Sequence, residues 1–78
     1  MFKQEITATL QSVNLISIHG QRYYDIRFTM GAANNVESRK TRAPYEEVYR
    51  NPSPGDKVRI HAIMGTVTKI DILETGSG

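Results

Sequence analysis

"KVRIHAIMGTVTKIDIL", residues 57–73, is the stretch on which the fold turns. Val58, Ile60 and Ala62 alternate with Lys57, Arg59 and His61. Beyond Gly65 an apolar face resumes with Val67, Ile70 and Ile72, while Lys69 and Asp71 point the other way. A period of two over this length is the signature of strand, not helix. Met64-Gly65 in the middle is either a tight hairpin turn between two strands or a glycine bulge in one continuing strand.

Upstream, "NPSPGD" (51–56) is a hard stop. Before it, "PYEEVYR" (44–50) has proline where a helix accepts it first, Glu46 and Glu47 in the first turn and Arg50 in the last, an order that suits the helix dipole. Tyr45, Val48 and Tyr49 fall on one stripe, which predicts a helix of about two turns with its tyrosines turned inward. Residues 36–43, "VESRKTRA", read as a mostly polar third strand at an edge, after a loop at 31–35, "GAANN". Residues 22–30, "RYYDIRFTM", alternate strictly: Tyr24, Ile26, Phe28 and Met30 against Tyr23, Asp25, Arg27 and Thr29. His19-Gly20-Gln21 is a turn. In residues 4–18 Ile6, Ala8 and Leu10 hold one phase, which slips at Val13, Leu15 and Ile16, as at a bulge or bend.

The order is strand, strand, strand, short helix, strand, strand, with no repeat or linker. A lone sheet of this length is expected to close on itself to bury its apolar face and its edges. One domain over 1–73 with a flexible tail at 74–78, "ETGSG", accounts for all 78 residues. So small a core rarely supplies more than ~3–5 kcal/mol of net stability unaided. The chain has no cysteine, which excludes disulfides and thiolate metal sites and fits a reducing compartment. The N-terminal residues do not resemble a signal peptide and the apolar stretches are far shorter than a membrane span, so a cytoplasmic protein is expected.

Order and motif together resemble the OB-fold. "PGDKVRIHAIMGTVTKIDI" (54–72), with its Gly-Asp turn, V-x-I-x-A strand and following G-x-V-x-x-I, looks like the last two strands of many OB domains, and here it follows a helix as in that fold. Small SH3-like barrels of the KOW kind also use a Gly-Asp turn, but they usually lack the central helix. The resemblance is architectural, over about residues 5–73. It implies an all-β, five-stranded Greek-key barrel with one short helix between strands 3 and 4. It also implies a ligand face on strands two and three.

Net charge is only +2, ten Lys/Arg against eight Asp/Glu, less than a dedicated duplex binder usually carries. The distribution is more informative, because Arg22, Arg27, Arg39, Lys40 and Arg42 stand against only Asp25 and Glu37 in the middle of the chain. Cations that follow a backbone, together with flat side chains on which bases stack, are what single-stranded nucleic acid requires. The candidate residues are Arg22, Tyr23, Arg27, Arg39, Lys40 and Arg42, with Arg59 and His61 as an extension on strand four. Tyr23 is the first choice for stacking. The register of strand three stays open, and a slip of one residue exchanges Arg39 with Lys40 on that face.

Ordinary cross-strand packing and a solvated exterior account for the same residues without any ligand. Catalysis has little support. His19 and His61 lie in different elements without metal-ligand spacing, and no carboxylate pair, nucleophile elbow or phosphate-cradling glycine loop is present. The expectation is a non-catalytic module, without cofactor or metal, that binds single-stranded DNA or RNA. The alternative is a protein–protein adaptor or assembly component, a homo-oligomer included, built on the same barrel. Neither reading involves a membrane.

Overall fold

The computed structural model describes residues 3–31 and 34–76. Ala32 and Ala33 of the expected loop, and Ser77 and Gly78 of the expected tail, lie outside the described residues. The strands are β1 (Lys3–Ile18), β2 (Gln21–Met30), β3 (Glu37–Pro44), β4 (Lys57–Ile63) and β5 (Thr66–Glu74). They form one antiparallel sheet in the order β3-β2-β1-β4-β5. Among the described residues no helix is long and apolar enough to cross a membrane.

β1 organises the sheet. Its first part, Lys3 to Thr9, pairs with β4, and its second, Thr9 to Ile18, pairs with β2. The register shifts between Leu10 and Ser12, so Gln11 is the extra residue behind the phase slip in the sequence. Beside this bulge the chain leading into β4 takes over the ladder. Gly55 N–H donates to the Leu10 carbonyl at 2.8 Å, and Leu10 N–H to the Asp56 carbonyl at 2.9 Å.

Met64-Gly65 is a hairpin turn. Both residues have positive φ (51° and 83°) and Ile63 pairs with Thr66, the two-residue primed geometry that matches strand twist. His19 and Gly20 (51° and 81°) repeat it between β1 and β2.

The apolar residues of each alternating stretch meet on one side of the sheet. Ala8, Leu10, Ile26, Phe28, Ala43, Val58, Ile60 and Ile70 form the core, with Ile6, Val13, Tyr24, Met30, Val48, Tyr49 and Val67 packed against it. Among the described residues Asp56, 5 % exposed, is the buried charge. Its carboxylate accepts from Tyr49 Oη at 2.6 Å, Ser53 N–H at 3.1 Å and Gly76 N–H at 2.9 Å. These donors, the Tyr49 hydroxyl above all, hold its carboxyl below the usual carboxylate range. Burial, and then the bond to Asp56, push the Tyr49 hydroxyl upward. The contact also ties Gly76, in the stretch expected as a flexible tail, to the body of the sheet.

Two expectations change. The two-turn helix is a single 3-10 turn, Tyr45–Glu47. No side chain caps its start, and Val48 is already extended at φ −111°, ψ 140°. With Asn51-Pro52 close behind, there is no room for a helix long enough to offset its nucleation cost. Val48 instead makes a parallel bridge to Ile70.

The barrel, moreover, is not closed. β3 and β5 are the ends of the sheet order, and the curl of the sheet brings them near each other. Among the described residues they are joined only through the chain after β3, by the Val48–Ile70 bridge and a 3.3 Å bond from Tyr49 N–H to the Ile70 carbonyl. β3 is too polar to drive a tighter seam, since of its eight residues only Ala43 is buried. The architecture is an open, curled five-stranded antiparallel sheet.

Candidate nucleic-acid-binding face

Cross-strand partners in an antiparallel sheet share a face, so the β2–β3 register assigns each candidate a side. Tyr24, Ile26, Phe28 and Met30 stand opposite Ala43, Thr41, Arg39 and Glu37 on the core side. Tyr23, Asp25, Arg27 and Thr29 stand opposite Pro44, Arg42, Lys40 and Ser38 on the outer side. Lys40, not Arg39, therefore joins Tyr23 and Arg27.

Beyond the bulge, β1 supplies the third member of each outer row. The rows are Ile16–Tyr23–Pro44, then Asn14–Asp25–Arg42, then Ser12–Arg27–Lys40. Successive rows are two residues apart, roughly 6.8 Å at strand rise. The face thus changes character along the strands, from an aromatic and apolar row, through a polar and ionic one, to a cationic one. A shallow open groove of about 430 Å³ is lined by Ser12, Asn14, Asp25, Arg27, Lys40 and Arg42, among others.

The cations of this groove differ in their partners. Arg42 forks onto Asp25, with Nε 2.8 Å from Oδ1 and an Nη 3.4 Å from Oδ2. That hydrogen bonding holds the Asp25 carboxyl below its ordinary value and raises the Arg42 guanidinium. Arg27 and Lys40 stand directly opposite each other, and among the described residues neither forms a salt bridge. Like charges directly opposite are destabilising unless something neutralises them. Tyr23 is half-buried and its hydroxyl donates to Gln21 Oε1 at 2.8 Å.

The other four candidates lie elsewhere. Arg39, across from Phe28, turns onto Glu37 through two bonds of 3.1 and 3.0 Å. The Arg22 guanidinium lies 4.1 Å over the Tyr45 ring, which stacks on Tyr24 at 5.4 Å and 25°. This cation–π stack covers one end of the core. Arg59 and His61 are on the outer side of β4, where they meet Glu5 at 3.7 Å and Asp71 at 3.0 Å. Arg59 is paired with a carboxylate and His61 is hydrogen-bonded to one, so neither continues the unpaired cationic row. Among the described residues no three His, Asp or Glu side chains gather as metal ligands would.

Ser12 and Asn14 were not among the candidates expected from sequence. The phase slip at Val13 is the signal that locates them: once Gln11 is taken as a bulge, Ser12, Asn14 and Ile16 rotate onto the outer face. Comparison with protein-family models, with curated proteins and with solved structures found no match to this chain.

Proposed function

We propose that the chain is an OB-type module that binds single-stranded nucleic acid, with little dependence on sequence in its backbone contacts, through the outer face of β1–β3. The observation that carries this reading is the opposed Arg27–Lys40 pair, two cations set face to face in a groove, neither in a salt bridge among the described residues, with only the Asp25 carboxylate of the next row, already forked by Arg42, felt by Lys40. A phosphodiester backbone supplies the missing charge, and Tyr23, two rows away, offers a ring on which a base stacks. The strand order, the bent first strand shared between β2 and β4, and the parallel bridge at the seam support the OB-type framework. The role proposed is binding without catalysis.

Fluorescence anisotropy with a labelled oligonucleotide tests this. Binding should weaken steeply with salt, and Tyr23→Ala should cost ~1–3 kcal/mol, as loss of one stacked base does. No binding of either DNA or RNA at low salt would overturn the reading.

A second reading, a contact between copies of the chain or with another protein, is favoured by the open seam and by exposed Leu15, Ile72 and Leu73. An unpaired strand edge is a template for another strand. Light scattering on the purified chain distinguishes the two readings: the adaptor requires an oligomer or a protein partner without polyanion binding.

A further inference from the structure

A carboxylate in the middle of a face that takes a polyanion works against binding unless it has a task there. Asp25 occupies that position, between the aromatic row and the cationic row and directly across from Asn14. Arg42 fixes its orientation through the fork, so Arg42 acts as a positioning residue. An ionised carboxylate has about four acceptor sites, and Arg42 fills two, leaving Asp25 with acceptor capacity facing the groove. Tyr23 lies one row, roughly 6.8 Å, away, its hydroxyl turned to Gln21 on the far side, so a base that stacks on its ring and extends into the groove would carry its hydrogen-bonding edge to Asp25 and Asn14.

We propose that Asp25, assisted by Asn14, reads that edge and selects bases bearing an exocyclic amino group, cytosine over thymine or uracil being the cleanest case. The difference lies in the pattern of the edge. A carboxylate only accepts and an asparagine amide can donate; cytosine presents the N4 amino donor beside the N3 acceptor, which Asp25 and Asn14 can meet together, whereas thymine and uracil present one N3–H donor flanked by two carbonyl acceptors. A carboxylate that takes that N3–H is set beside a carbonyl it cannot satisfy, which costs in a partly desolvated site. Pyrimidines of equal size isolate this difference from stacking area. The inference rests on the proposed nucleic-acid-binding role and adds a base preference to it.

The test compares labelled oligo-dC and oligo-dT of about ten nucleotides at neutral pH and fixed salt. The native chain should favour oligo-dC roughly five- to tenfold, the scale of one good base contact. Asp25→Asn should bind both oligomers more tightly, because a negative charge has left the face, while the ratio collapses toward one. Glu37→Gln removes an equal charge from an Arg-paired carboxylate on the other side of the sheet, and should leave the ratio intact.

Four results count against the inference. A ratio preserved in Asp25→Asn, or lost equally in Glu37→Gln, overturns it. Equal binding of both oligomers by the native chain overturns it and leaves the proposed function standing. Failure to bind either oligomer, or any RNA, removes the proposed function and the inference together.

Discussion

Asp56 and Tyr49 show how single residues hold a small sheet together. One carboxylate gathers donors from the loop before β4, from Tyr49 and from Gly76 after β5, anchoring three segments that lie outside the five strands. Tyr49→Phe removes one bond to a charged acceptor and should lower the unfolding free energy by ~1.5 kcal/mol in urea titration. The pH dependence has a definite sign. Both Asp56 and Asp25 have folded-state values below their unfolded ones. Their contribution is therefore present above the ordinary carboxylate range and is lost as pH falls through the folded values. Stability should hold near neutrality and drop below about pH 4, and Asp56→Asn should be less stable at neutral pH and flatter in acid. At this scale the sequence was only partly legible. Gly-Asp before a strand reads as a turn, but nothing local says that the carboxylate is buried or that Gly76 returns to it. Side-chain position on β3 was equally open, because a polar strand carries no apolar alternation to fix its register; pairing with β2 settles Lys40 over Arg39.

The elements follow from period and punctuation. Strict alternation gave β2 and β4 their faces, and the phase slip at Val13 is a β-bulge in the structure; the β4–β5 pairing shifts register twice more, at Thr68 and Leu73, which the sequence reading passed over. The helix failed because its stripe of three apolar residues was equally compatible with a turn followed by an extended Val48, and the bridge to Ile70 is a tertiary contact that no local pattern announces. Glycine requirements at the turns can be ranked. At Gly65, φ is +83° and a Cβ meets nothing within 4 Å, so Gly65→Ala carries only backbone strain, ~1–2 kcal/mol. At Gly31, φ is +113° and a Cβ would collide with the Asn35 carbonyl oxygen, so strain and collision combine. Thermal unfolding should therefore rank Gly31→Ala as the more damaging of the two.

Across the whole molecule, stability rests on one thin layer. Ile60 and Val58 are fully buried at the centre of the sheet's apolar side, and Ile60→Ala should cost ~2–5 kcal/mol. That is comparable with the entire stability of a chain this size, so circular dichroism should find the variant largely unfolded at room temperature. The number and order of the strands were readable because four of the five carry their own apolar phase and β3 is set off by the loop before it and Pro44 at its end. Closure was not, because it depends on how a polar β3 meets β5, and there the sheet stays open.

The central claim is that ligand charge is met by one face and not by basic residues in general. It is tested most directly by measuring the salt dependence of single-stranded oligonucleotide binding for three proteins: the native chain, Arg27→Gln/Lys40→Gln, and Arg39→Gln. Each single-strand phosphate contact contributes about 0.7 to the slope of log affinity against log salt. The double variant should bind more weakly with a slope shallower by about 1.4, while Arg39→Gln tracks the native chain. Equal weakening by Arg39→Gln, or a slope unchanged in the double variant, would contradict the account.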